Sequence, residues 1–458
     1  MDALLLSLLL VVGLVLSTAA LGDPPGGDAE LVRNPTFATT PDAALPAPWV
    51  AWEPEWQTAR CTVHAAKHGL LVEAPGCPFA VGGVEQRIEG ITGGGAYAVE
   101  ARCELTDIPF PYQATTVRLE WMRGDEALHP AGVLVRGPFV EGRRAEFRDV
   151  VVAPQEADGV VARLEVRWPQ GGAVRWERVS LRPTPAPAPR LVKVGTVYLR
   201  PENSTPERNL ELWCEQVAAA GRLDLDIVCL GEAILMVGTG ATAAAVAEPI
   251  PGPSTEALGA AAREHHLWVV AGLMERDGKQ LYNTAVLLDR DGRLAGTYRK
   301  VHLPREEWRQ GVTPGDSYPV FRTDFGTIGI QICYDWFFPE VATALAQHGA
   351  EIVFAPTWGN TLPDWDGVAD GETVFRVRAR DNGLYLVPSV YDGNSMVIDP
   401  MGRILASNRG ETGVFWATVD LNAREALPWV GHWRSIGPRD RMPGTYAPLL
   451  SGPPQPTY

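Results

Sequence analysis

Residues 183–189 read Pro-Thr-Pro-Ala-Pro-Ala-Pro, and this stretch constrains the chain more than any other. Proline at every second position removes ladder donors and clashes inside a helix, so the segment is confined to extended, polyproline-like chain. It divides the sequence at 183–190 into two parts that must bury separate cores. The length of 458 residues is comfortable for two domains.

The part before the prolines, 28–182, reads as all-β. Ala96 to Cys103, Thr116 to Trp121, Val161 to Trp168 and Val174 to Leu181 are short alternating runs separated by Gly- and Pro-rich turns, with little helical periodicity. Strands at this spacing point to a sandwich or jelly roll. Trp49, Trp52 and Trp56 are either exposed aromatic contacts for a ligand or packing within and between domains.

After residue 190 the texture changes. Val192 to Leu199, Asp226 to Leu230 and Trp268 to Leu273 read as strands, alternating with helical stretches at Pro206 to Ala220 and Thr255 to His265. Tyr282 to Asp289 and Leu294 to Tyr298 form a hairpin through Asp289-Arg290-Asp291-Gly292. The region 191–458 is therefore an α/β domain with helix-covered sheets.

Three residues at predicted strand ends carry the chemistry. Cys333 follows the apolar run Thr327 to Ile332 and precedes a turn and a helix. A thiol there projects into a pocket beside free backbone N–H groups, the layout of a nucleophile elbow with an oxyanion site. Glu232 closes the run Ile227-Val228-Cys229-Leu230-Gly231, and Lys300 ends Tyr298-Arg299-Lys300. Taken singly, the cysteine reads as structural, the glutamate as a cap and the lysine as a surface charge. Together at strand ends they can converge, the carboxylate taking a proton and the ammonium lowering the thiol pKa.

Glu232, Lys300 and Cys333 with their flanks resemble the Glu-Lys-Cys triad of the nitrilase superfamily, the carbon–nitrogen hydrolases. Further resemblance lies in Pro251-Gly252-Pro253, Tyr282-Asn283-Thr284, Thr313-Pro314-Gly315-Asp316, Arg378 to Asn382 and Ile398 to Arg403. It implies a four-layer αββα sandwich, a covalent thioester mechanism and no metal or organic cofactor. It also implies a second glutamate between lysine and cysteine. Glu306 and Glu307 both fit, and Glu307 is favoured. By position in the family, Tyr334, Trp358 and Asn360 contact substrate, with Asp364 or Asp366 available to meet a substrate amine or to lie in a solvated loop. Cys333-Tyr334-Asp335-Trp336 is similar to amidase and N-carbamoyl-amine hydrolase branches, so a small amide or carbamoyl compound is the expected substrate. Acyl transfer by the same chemistry, or a silent glycan-binding protein, are the alternatives. The segment Leu31 to Phe37, Pro48-Trp49 and Gly83 to Ile88 resemble galactose-binding-like jelly rolls, which implies carbohydrate as a ligand of the first domain.

Leu4 to Leu16 is an apolar run followed by small residues, the pattern of a signal peptide over 1–22, although Asp2 replaces the usual basic start. Export to the periplasm or exterior is expected. The net charge of −15 argues against nucleic acid as a partner. Of six cysteines, Cys61 and Cys77 are the pair best separated for a disulfide, and none has zinc-ligand spacing. Trp429 to Leu450 resembles the family's C-terminal extension, which implies a homodimer or higher homo-oligomer.

Overall fold

The computed structural model describes residues 29–39, 44–74, 76–359, 370–427, 429–432 and 439–451. The expected leader, Asn360, Asp364 and Asp366 lie outside the described residues.

The first part of the chain forms two antiparallel sheets. One orders its strands Val50–Trp52, Val81–Glu89, Gly159–Arg167, Thr115–Arg123 and Glu126–Ala127, with Val133–Leu134 pairing off Thr115–Arg123. The other runs Thr62–Ala66, Gly69–Glu73, Ala173–Thr184, Ala96–Thr106, Arg144–Val152 and Phe139–Glu141. Alternation decides which face is buried. Along Ala96–Thr106, Tyr97, Val99, Ala101, Cys103 and Leu105 point inward and join residues of both sheets in one core. Trp49 belongs to that core, with its ring 5.2 Å from Phe37 and its indole N–H donated to Asn34 O. Trp56 is exposed, and Trp52 lies under the Arg163 guanidinium. The three tryptophans therefore form no common surface.

Two expectations are corrected here. The proline-rich spacer begins later than the sequence suggests, because Pro183 and Thr184 still pair with Tyr97 and Ala96. At this parity the backbone groups of the strand face away from Ala96–Thr106, as Leu181 O accepting from Leu31 N shows. Pro183 thus removes no donor from the ladder. The Cys61–Cys77 bridge is absent, and all six cysteines are free. Cys61 is buried with its sulfur 3.9 Å from Val166 O, and burial, with Cys77 adding, pushes its thiol up to about 12. A thiol so rarely ionised is a poor attacking group for disulfide formation.

The second part contains two further six-stranded mixed sheets. In one, Leu191–Tyr198, Ile227–Cys229 and Trp268–Asp277 run parallel, flanked by antiparallel Gly413–Asp420 and by Gln280–Leu288 and Leu294–Arg299. In the other, Thr327–Ile330, Ile352–Gly359 and Tyr385–Asp392 are parallel. The sheets pack on each other through residues such as Val194, Cys229, Ile330 and Phe354. Helices Pro206–Arg222 and Pro253–His265 cover the first sheet, burying Trp213, Val217 and Leu258. Helices Pro339–Gln347 and Asp370–Asn382 cover the second, burying Val341, Leu345, Phe375 and Ala379. The layer order is helix, sheet, sheet, helix. Parallel strands covered on both faces need continuous apolar runs, and Trp268 to Met274 supplies one.

The described C-terminal segment packs within the chain against the first part. Arg424 forks onto the buried Asp149 carboxylate at 2.8 and 2.9 Å, Arg439 Nη2 donates to Val135 O and Gly137 O, and Arg167 pairs with Asp440.

Candidate active site

The parallel strands of both sheets end on one side of the domain, and that topology brings the predicted triad together. Glu232 lies just past Ile227–Cys229, Lys300 just past Leu294–Arg299 and Cys333 just past Thr327–Ile330. Glycines permit the close approach. A Cβ on Gly272 would stand 2.7 Å from Glu232 Cα, and one on Gly231 would stand 2.3 Å from the Tyr391 hydroxyl oxygen. Cys333 itself has φ of 41°, the left-handed conformation that non-glycine residues adopt mainly where surroundings enforce it.

Glu232 is 2% exposed, yet its carboxylate is well provided with donors. Oε1 accepts from Lys300 Nζ at 2.8 Å and from Asn283 Nδ2 at 2.7 Å, and Oε2 accepts from Trp358 N at 2.7 Å. Its backbone carbonyl accepts from the Tyr391 hydroxyl at 2.6 Å. Lys300, 1% exposed, also contacts Glu307 Oε1. Burial disfavours its charge, but Glu232, Cys333 and Glu307 outweigh that cost and raise its pKa. Glu306 is exposed, so of the two candidate glutamates only Glu307 touches the lysine.

The thiol departs from expectation. Lys300 and the Trp358 N–H do act to lower its pKa, but burial comes first and the Glu232 charge opposes them, so the thiol is pushed up to about 12. A thiol so raised keeps its proton at rest, with Glu232 nearby to receive it. Sequence reasoning weighed the lysine alone, and desolvation in a sheet-lined pocket reverses the sign. Glu307 is shifted too. Burial raises its carboxyl to about 7, with Glu232 adding and Lys300 and Asn283 opposing. Its Oε2 has no hydrogen-bond partner among the described residues.

Trp358 contributes its backbone N–H, while its half-buried ring packs edge-on against Tyr391 at 5.5 Å. Tyr334 lies beside Phe337 and Phe338. Two participants had no marked role in the sequence. Asn283 bridges both glutamates, with Nδ2 2.7 Å from Glu232 Oε1 and 3.3 Å from Glu307 Oε1. The motif Tyr282-Asn283-Thr284 was its only trace. Tyr391 reads simply as one more aromatic in a buried strand. Among the described residues no group of His, Cys, Asp and Glu is arranged to hold a metal.

A carboxylate in contact with a charged amine, with a thiol nearby, can activate the sulfur, hold an oxyanion and return a proton to a leaving group. Known proteins resemble the chain over this domain. The carbon-nitrogen hydrolase family profile matches residues 193–428. The chain is similar to a probable nitrilase from Schizosaccharomyces pombe, 35% identical over 214 residues, 44% of this chain and 75% of that protein. It is also similar to the omega-amidase NIT2 of Bos taurus, 31% identical over 256 residues, 51% of this chain and 92% of that protein. A solved amidase from Nesterenkonia sp. aligns at 20% identity with a TM-score of 0.47, covering 57% of this chain and 97% of that one.

Proposed function

The chain belongs to the carbon–nitrogen hydrolase family, and on that footing we propose that it cleaves the C–N bond of a linear amide or N-carbamoyl amine through a thioester on Cys333. The observation that carries the proposal is the buried Glu232 carboxylate, held by Lys300 Nζ at 2.8 Å, Asn283 Nδ2 at 2.7 Å and the Trp358 N–H at 2.7 Å, at the strand ends where Cys333 also stands. As Cys333 sulfur bonds to the substrate carbonyl carbon, its proton passes to Glu232. Lys300 and the N–H of Tyr334 stabilise the oxyanion. Collapse breaks the C–N bond, and ammonia or an amine leaves with the proton from Glu232. Water then gives a proton to Glu232 and attacks the thioester, and the acid departs as the thiol is restored. Glu307 holds Lys300 and borders the water's path.

An amide rather than a nitrile is supported by Cys333-Tyr334-Asp335 and by relatives that bear the name omega-amidase. The same reading includes export by the leader, a homodimer and carbohydrate as a ligand of the first domain. A cleft lined by Trp52, Trp168 and Trp429 beside Arg163 and Glu120 supports the carbohydrate, since aromatic faces stack on sugar rings.

The test is ammonia release from a panel of primary amides, N-carbamoyl amines and nitriles, by the wild-type chain and by Cys333→Ala. Release from amides or carbamoyl compounds by the wild type alone is expected. Release from nitriles only, or equal release by both proteins, overturns the proposal.

A further inference from the structure

Asp335 lies two residues beyond the nucleophile, yet the hydrolytic steps make no use of it. It is fully buried (0% exposed), and its carboxylate collects four donors. Oδ2 accepts from the Tyr298 hydroxyl at 2.7 Å and from Ile332 N at 2.9 Å. Oδ1 accepts from His302 N at 3.1 Å and lies 2.9 Å from His302 Nδ1.

The donors come from two different pieces of the fold. Ile332 N belongs to the turn that holds Cys333 at its positive φ, and that turn extends the sheet containing Thr327–Ile330. Tyr298 and His302 bracket Lys300 at the end of the other sheet's edge strand. The His302 ring also stacks on Phe338 at 3.8 Å, just after the nucleophile turn. Lys300 is fixed through its own backbone as well, with its N–H on Asn283 O and its carbonyl accepting from Gly315 N.

From this we infer that Asp335 is a positioning residue: it fastens the turn bearing Cys333 to the strand end bearing Lys300, and so sets the distance between nucleophile and ammonium. The inference rests on the proposed hydrolytic role of those two residues. Elsewhere the two sheets meet through apolar side chains such as Ile330 and Phe354, contacts that carry little directional information. They also meet through hydrogen bonds at other strands, such as Thr196 Oγ1 to Pro388 O and the Tyr391 hydroxyl to Glu232 O, which do not tie the turn of Cys333 to the strand end of Lys300. A carboxylate with four aimed donors fixes both distance and angle. Burial and the Asp335 charge hold Tyr298 well above the usual phenol range, so it remains a donor.

Asparagine cannot replace this group. Each carboxylate oxygen faces a backbone N–H, from Ile332 on one side and His302 on the other. Whichever way the amide is turned, its NH₂ confronts a donor.

The experiment compares wild type, Asp335→Asn and Tyr298→Phe in amide turnover and in the rate of Cys333 alkylation by iodoacetamide. Tm is measured beside both. Asp335→Asn is expected to lower kcat about 10- to 100-fold, the range for losing a hydrogen bond to a charged group, with KM changed less than threefold. Tyr298→Phe, which keeps the carboxylate and three donors, should lose roughly 3- to 10-fold. Alkylation should slow in the same order. In the double variant, Tyr298→Phe should add little, because the two act on one tie. The inference is overturned if kcat and alkylation stay within threefold of wild type in folded Asp335→Asn, or if the loss lies in KM alone. Should Asp335→Asn not fold, Tyr298→Phe decides by the same criteria. Alkylation needs no substrate, so it tests the tie even where the wild-type chain turns over no amide.

Discussion

Glu307 is the residue whose chemistry the fold alters most usefully, and its replacement by glutamine makes a quantitative prediction. Burial, with Glu232 adding, raises its carboxyl to about 7, so it changes charge near neutrality. When ionised it makes an ion pair with Lys300, and when protonated it offers only a neutral acceptor oxygen. The difference is roughly 1–2 kcal/mol on the scale separating charged from neutral hydrogen bonds, or about 5- to 30-fold in rate if the ammonium's placement limits the chemical step. kcat/KM for amide hydrolysis should therefore climb by about that factor as pH passes about 7, since kcat/KM reports the free enzyme's groups. Glutamine imitates the protonated form at every pH, so Glu307→Gln should lie flat at the level of the wild type's acidic limb. Stability should run the other way. A folded pKa above the unfolded value favours the folded state fully below about 4.5, and the benefit fades as pH rises through about 7. The wild type's Tm should thus drop across that interval more than the variant's. The assay is initial rates of ammonia release across the pH range, with Tm measured alongside. An inflection near neutrality that survives in Glu307→Gln, or a flat wild-type profile, refutes the assignment.

Two further outcomes test the packing that supports the site. Gly231→Ala would place a Cβ 2.3 Å from the Tyr391 hydroxyl oxygen, which itself holds the Glu232 carbonyl. It should cost about 1–3 kcal/mol by overpacking, read from urea unfolding, and lower kcat more than Tyr391→Phe does. Leu258→Ala, at a fully buried position on the inner face of the helix Pro253–His265, should cost about 2–5 kcal/mol in the same assay while leaving kcat within about twofold.

The sequence makes the positions of the strand ends readable because two kinds of pattern change there. Apolar runs such as Ile227 to Leu230 and Thr327 to Ile332 stop at a residue that no buried strand would otherwise end on. The layers follow from alternating strand and helix patterns, and Trp268 to Met274 is apolar throughout because its strand is covered on both faces. Other features depend on three-dimensional proximity that spacing does not encode. Tyr391 reaches Glu232 from the facing sheet, and Asn283 joins a carboxylate just past Ile227–Cys229 to one on the short helix Arg305–Arg309. The lowering of the Cys333 thiol by Lys300 is legible in the sequence, but the larger opposing effect of burial is not, because charge is visible there and burial is not. The first residues of the proline segment were misplaced because edge parity decides whether a proline breaks a ladder.

A protonated thiol changes what the site must provide. A preformed thiolate needs only an electropositive surrounding, and the proton acceptor's exact position is then of little importance. A thiol raised to about 12 is ionised only as it attacks, so the base must already stand where the proton will leave. That demand explains the arrangement around Glu232. Its side chain is fixed by donors that do not titrate near neutrality, the Asn283 amide and the Trp358 N–H, as well as by Lys300. Its backbone is fixed separately by Tyr391, and the space for that contact exists only because residue 231 is glycine. The lysine then serves the developing oxyanion more than the resting sulfur. Its ammonium already has two carboxylates beside it, and charge that appears on substrate oxygen competes with them directly. Glu307, half protonated near neutrality, is the carboxylate that yields with least cost. Lowering the charge on that side of Lys300 frees the ammonium for the oxyanion but loosens its position, and the loosening is the larger effect, so the rate rises as Glu307 ionises.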